Sequence, residues 1–154
     1  MYVISKKKIP FEIVKEIGKI ISTSYYSTEF TEDLIGVEVC AATKNIYSML
    51  IGASEGLSGN NIDGEIKKKY YLNTAASLIY KSLSEMKKLT KKLKGKEETV
   101  FGLAGLGDLH VSAAGGRNSM MGNYLGKGLL YDDALSLIHI SEPHETPEHR
   151  GWRV

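Results

Sequence analysis

The 154 residues carry 20 Lys and Arg against 18 Asp and Glu, a formal net charge of +2, with 42% hydrophobic and 25% charged residues. That length suits one domain with a core and a fragment of a second, and the composition excludes bulk disorder. So small a charge argues against nucleic acid or a membrane surface as the main partner, and one cysteine, Cys40, excludes an internal disulfide and favours a reducing compartment.

Met1–Ile4 is a short β-branched and aromatic run, read as a strand. Pro10 then opens a helix with Phe11, Ile13, Val14, Ile17, Ile20 and Ile21 at helical spacing. Tyr25 to Phe30, rich in Tyr and Thr, predicts a second strand. Strand, helix, strand is the tail of an α/β sheet, since three elements bury little, and a strand at residue 1 implies partners upstream.

From Gly36 the pattern becomes helical. Val37, Ala41, Ala42, Ile46, Met49 and Leu50 make a segment apolar on most of its circumference, as in a central helix, with Cys40 as a small buried hydrophobe. Gly52 to Gly64 predicts a turn-rich connection. Ile66 to Leu93 predicts a long helix, with Tyr70, Ala75, Leu78, Ile79, Leu83, Met86, Leu89 and Leu93 at helical spacing, and Gly95 as its C-cap. Lys87, Lys88, Lys91, Lys92 and Lys94 crowd the last turns, where cations suit the helix dipole; a solvated helix end is preferred to an anionic docking face.

The end of the chain stands apart. Residues 136–149 hold three of the four histidines and two of the three prolines, and Trp152, the only tryptophan, follows. His139, His144 and His149, with Glu142, Glu145 and Glu148, match neither a helical i, i+4 zinc pair nor a finger, so no metal site is expected. The string LSLIHISEP resembles translated sequencing-adapter sequence. Residues 135–154 are therefore expected to be a non-native tail.

Three places could carry chemistry. The run Gly102–Leu109, GLAGLGDL, has G-x-x-G-x-G spacing, the reverse of the dinucleotide fingerprint. It follows a helix instead of a first strand, and ends on an acid that would repel a pyrophosphate. Its glycines suit a tight backbone bend that fixes Asp108, which either faces a substrate or caps a helix. Lys44, beside Asn45 inside an apolar helix, is either an acid/base group or a lysine snorkelling at a helix edge. Gly115-Gly116-Arg117-Asn118 presents a guanidinium fork and an amide, the donor set for a phosphate or carboxylate.

Taken together, IGVEVCAATKN (35–45), SLSEMKKL (82–89), GLAGLGDL (102–109) and GGRN (115–118) resemble, in order and spacing, the signature blocks of NAD(P)-dependent glycerol-3-phosphate dehydrogenase. The resemblance covers roughly residues 1–134. It implies a mainly α fold: residues 1–34 as the end of a Rossmann domain, a β-α-β remnant, and residues 35–134 as a helical substrate domain like the C-terminal domain of 6-phosphogluconate dehydrogenase. It also implies NAD or NADP as cofactor and dihydroxyacetone phosphate and glycerol 3-phosphate as substrates. No nucleic-acid or membrane partner is implied, and the full-length enzyme would form a homodimer.

Carried over by position, Lys44 matches the catalytic general acid that protonates the substrate carbonyl oxygen, and in reverse takes the hydroxyl proton. Asp108 matches its catalytic neighbour; Asn45 and Asp108 match residues that hold the lysine and the substrate oxygens. Arg117 and Asn118 match the phosphate-binding pair, with Gly116 and Ser112 also at the substrate and Arg117 near the cofactor. Ser112 stands where the family commonly has threonine, Ala113 where it has cysteine, and Lys81 where it has arginine. No G-x-G-x-x-G follows a first strand in this chain, so the isolated chain is expected to be inactive. The parent enzyme would supply glycerol 3-phosphate for phospholipid synthesis. A catalytically inactive helical module that binds phosphate is the alternative, and a related hydroxyacid dehydrogenase sharing the helical domain is a third. With no charged-then-apolar leader and no apolar run approaching about 18 residues, a cytoplasmic location is expected.

Overall fold

The computed structural model describes residues 2–4, 10–59 and 64–140. The chain opens as a β-α-β unit: β1 (Tyr2–Ile4), α1 (Phe11–Ile21) and β2 (Glu29–Thr31), the strands parallel with Val3 opposite Phe30. Helix α1 buries Val14 and Gly18. A methyl group on Gly18 would sit 2.2 Å from the Phe30 ring, so the glycine lets the strand pass close beneath the helix. The hydroxyls of Ser22 and Thr28 both donate to the Gly18 carbonyl and close the helix end. The second strand is shorter and later than the Tyr25–Phe30 run predicts. Backbone bonds between Thr23 and Tyr26 make a turn there, and Tyr25 is 90% exposed, because a three-residue β1 can pair only three partners.

Among the described residues five more α-helices follow: α2 (Leu34–Ser58), α3 (Gly64–Lys92), α4 (Asp108–Gly115), α5 (Arg117–Gly126) and α6 (Tyr131–Ile140). Between α3 and α4 lie a 3-10 turn (Glu97–Phe101) and a π-helical turn (Leu103–Gly107). Helix α2 is the axle, packed against α3, α4, α5 and both turns. The main core joins Cys40 and Ile51 of α2 to Leu83 and Met86 of α3, and to Val100, Ala104 and Leu109. Each fully buried large side chain in it, such as Met86 or Ile51, contributes on the order of 2 kcal/mol. A second cluster of Met121, Ala134 and Ile138 holds α6 onto α5.

Three expectations need correction. Gly52 and Gly56 are not turn residues: α2 runs on to Ser58, and these glycines let it touch α5 backbone to backbone. Methyl groups at Gly52 and Gly56 would meet the Ser119 and Asn123 carbonyls at 2.0 and 2.1 Å, and at Gly122 and Gly126 the Met49 and Ala53 carbonyls at 1.9 and 2.3 Å. The left-handed residue that closes α3 is not Gly95 but Lys94, at φ 68°, just past the C-cap in a Schellman motif: Gly95 N–H donates to the Thr90 carbonyl and Lys94 N–H to that of Lys91. Gly95 is needed one place later, where a methyl group would lie 2.9 Å from Gly36 N. The tight bend expected of GLAGLGDL is confined to Gly102, in extended backbone between the 3-10 and π turns. Gly105 and Gly107 sit in the π turn, and Gly105 is required because a methyl group there would lie 1.9 Å from the Val100 carbonyl.

Helix α2 is long and apolar enough, by length and composition, to cross a membrane, which a search for unbroken apolar runs passes over. It packs against three other helices, with 28% of that apolar stretch buried. The boundary expected between residues 134 and 135 falls inside α6, whose Ala134 and Ile138 are both buried. His144, His149, Glu142, Glu145, Glu148 and Trp152 lie outside the described residues.

Candidate active site

The site begins at the N-terminus of α2. Asp33 caps it, its Oδ1 accepting from Gly36 N at 3.0 Å, and the same carboxylate accepts from Lys96 N at 2.8 Å and Thr99 Oγ1 at 2.6 Å through Oδ2. Burial alone would raise its pKa, but these hydrogen bonds outweigh it and hold the carboxyl below its ordinary range. Sequence reasoning missed Asp33, although an Asp just ahead of an apolar helical run is a readable cap signal.

About three turns along α2, Lys44 leaves the helix toward α4. Its Nζ donates to Asp108 Oδ2 at 2.6 Å, joining residues 64 positions apart, with the side chains 24% and 38% exposed. Asp108 opens α4, yet its side chain makes no cap: the N-cap position is Gly107, without a side-chain hydrogen bond. Of the two readings of Asp108, the geometry therefore excludes the cap. The wide π turn immediately before it ends with Asp108 N–H donating to the Leu103 and Gly105 carbonyls, a kind of helix defect that clusters at functional positions.

Between the two acids lies Cys40, fully buried. Its thiol is pushed up to about 11, first by burial and then by the Asp33 and Asp108 carboxylates. It is inert packing. At the far end of α3, Lys87 and Lys91 both pair with Glu97, at 3.0 and 2.9 Å, so part of the lysine run ties α3 to the 3-10 turn.

Ser112 lies one turn beyond Asp108 on α4, half-buried, and its carbonyl accepts from Gly116 N at 3.0 Å. Gly116, in extended backbone, joins α4 to α5 and is the N-cap residue of α5. Arg117 and Asn118 are thus the first residues of α5, where the helix dipole favours an anion. The pairing of Gly52 with Ser119 and of Gly56 with Asn123 makes α5 parallel to α2, so the Arg117 end of α5 points toward the Lys44 end of α2.

The structure joins Lys44 to Asp108 but keeps Arg117 and Asn118 in a neighbouring space. Those two line a cavity of about 370 Å³ with Met49, Tyr131, Leu135 and His139, and none of Lys44, Asn45, Asp108 or Ser112 lines it. Asn45 is exposed beside Lys44, its carbonyl accepting from Ser48 Oγ at 3.0 Å. Met49, five positions along α2 from Lys44 and so about 7.5 Å up its axis, marks the offset between the two halves.

Such an arrangement, a Lys–Asp pair on two helices beside an Arg–Asn helix N-terminus, defines a helical domain that can trade a proton and hold an anion. The comparisons make this specific. Residues 33–146 match the family model described as the C-terminus of NAD-dependent glycerol-3-phosphate dehydrogenase, and the chain belongs to that family. It is 40% identical over 145 residues to an NADP(+)-dependent glycerol-3-phosphate dehydrogenase of Archaeoglobus fulgidus, covering 90% of this chain and 41% of that protein. It is 33% identical over 126 residues to a glycerol-3-phosphate dehydrogenase [NAD(P)+] of Syntrophotalea carbinolica, covering 80% and 34%. A solved glycerol-3-phosphate dehydrogenase of Coxiella burnetii superposes with a TM-score of 0.69 at 33% identity, over 82% of this chain and 36% of that one. The chain therefore spans about a third to two-fifths of the length of these relatives.

Within the described residues nothing cradles a dinucleotide pyrophosphate. The segment between β1 and α1 has no glycine, and β1 pairs only with β2.

Proposed function

We propose that this chain is the substrate-binding and proton-handling part of an NAD(P)-dependent glycerol-3-phosphate dehydrogenase, acting on dihydroxyacetone phosphate and glycerol 3-phosphate. Lys44 gives a proton to the substrate oxygen as the carbonyl becomes an alcohol, and takes it back from the hydroxyl in reverse. Asp108 holds the lysine and, with Asn45 and Ser112, the substrate oxygens. Arg117 and Asn118, at the N-terminus of α5 with Gly116, take the phosphate, and Arg117 also faces the cofactor. The observation that supports this reading most directly is the 2.6 Å contact between Lys44 and Asp108. The names of the relatives supply the substrate and cofactor classes. A cytoplasmic location and a homodimer of the full-length enzyme belong to the same reading.

The test is calorimetric titration of the 154-residue chain with glycerol 3-phosphate, alongside an NADH-oxidation assay with dihydroxyacetone phosphate. Saturable binding that is lost in Arg117→Ala, without turnover by the isolated chain, supports the reading. Turnover by this chain alone, or no binding at all, sinks it. A chain that binds but stays silent once joined to a cofactor-binding domain would instead be a catalytically inactive phosphate-binding module.

A further inference from the structure

We infer that Asp33 is a positioning residue for the Lys44–Asp108 pair, its carboxylate clamping the start of α2 to the segment that delivers Asp108. The inference takes its functional meaning from the reading above, but its geometry does not depend on any substrate.

Two struts connect the clamp to the pair. One is α2 itself, unbroken helix from Asp33 to Lys44, about 16 Å long at 1.5 Å per residue. The other starts at Lys96 and Thr99, whose N–H and hydroxyl reach Asp33 Oδ2, and runs through the 3-10 and π turns to Asp108. This second strut has no slack. Val100, next to Thr99, is fully buried, and its carbonyl presses on Gly105 so closely that a methyl group there would lie 1.9 Å away. Three residues later comes Asp108.

The struts also touch at the clamp. Gly36 lies under Asp33 and Thr99, and Gly95 abuts the Gly36 backbone, contacts that any side chain at either glycine would prise apart. Asp33 N–H is itself held by Thr31 Oγ1 at 3.0 Å, which fixes the backbone from which the carboxylate reaches both struts. The arrangement is thus a closed frame pinned at two corners, by Asp33 at one and by Lys44–Asp108 at the other. Loosening the first pin lets the second strut slide along α2 and carries the Asp108 carboxylate off the Lys44 ammonium. A hydrogen bond at 2.6 Å has little tolerance for such a slide.

The test is nitrogen-detected NMR of the Lys44 ammonium in the full 154-residue chain, assigned by its loss in Asp108→Asn. The wild type should show a protected ammonium. Thr99→Val, which removes one of the three hydrogen bonds and leaves the cap intact, and Asp33→Asn should each speed exchange of the Lys44 protons by about twofold or more, the lower edge of coupling within one network. Ala134→Gly, in the separate cluster under α6, lowers stability without touching the frame and should leave that exchange unchanged when compared at equal fraction folded. If the clamp variants lower the melting temperature but leave Lys44 exchange at the wild-type rate, Asp33 is only a helix cap. An unprotected ammonium in the wild type would likewise overturn the inference. Failure of the functional reading looks different: an intact, protected pair in a chain that does not bind glycerol 3-phosphate.

Discussion

Lys44 Nζ and Asp108 Oδ2 meet at 2.6 Å from different helices, 64 residues apart, and neither side chain is fully sealed from solvent. A pair so placed is cheap to hold and accessible to a ligand. Its cost to stability if broken is small, and its effect on the proposed chemistry should be large.

Lys44→Ala should therefore separate the two quantities. A partly exposed ion pair contributes about 1 kcal/mol, so urea unfolding should change little. In the chain joined to a cofactor-binding domain, kcat should fall about 10² to 10⁴-fold, the usual worth of a positioned acid. A kcat within a few-fold of wild type would remove Lys44 from the proton step.

Asp33→Ala should cost about 1–2 kcal/mol at neutral pH, as loss of a buried cap does. Because the folded carboxyl titrates below its unfolded value of about 3.9, its contribution is full above that pH and is lost as pH falls through the lower folded value. The wild-type and variant urea midpoints should thus converge on acidification. Parallel midpoints down to acid pH would show that the carboxylate charge is not what stabilises the cap.

Gly122→Ala should destabilise by about 1–3 kcal/mol or more, since the added methyl group would sit 1.9 Å from the Met49 carbonyl and must push α5 off α2. Gly115→Ala, with open space around it in α4, should be neutral or stabilising by up to about 1 kcal/mol. Thermal melts of both variants check the contrast. Equal effects would mean that the two helices are not in backbone contact.

Lys94→Gly should stabilise by about 0.5–1 kcal/mol, because Lys94 holds a left-handed conformation that costs a non-glycine residue about 1–2 kcal/mol. Gly95→Ala should do the opposite, through its contact with Gly36. A lower melting temperature for Lys94→Gly would show that the lysine side chain contributes more than its backbone strain costs.

Much of this molecule is legible from its residues in order. The helical spacing of Leu78, Leu83 and Met86 is enough to place α3, because burying a stripe demands that spacing whatever the partner; α2 is equally readable as a helix, but which of its faces is buried is not, since Ile46 and Leu50 are 62% and 53% exposed while Cys40 and Ile51 form the core. The blocks around Lys44, Asp108 and Arg117 carry the family resemblance for the same reason: the side chains themselves are the signal. Glycine is different. A sequence shows only that a side chain is missing, and Gly52, Gly56, Gly95 and Gly105 read as turns or caps until a neighbouring backbone is seen pressing against each of them. Asp33 is similar, since a cap can be guessed from order alone but its hold on Lys96 and Thr99, more than sixty residues away, cannot. Local periodicity needs no partner and so is written in the sequence; close approach between backbones, and the meeting of Lys44 with Asp108, exist only once the helices pack.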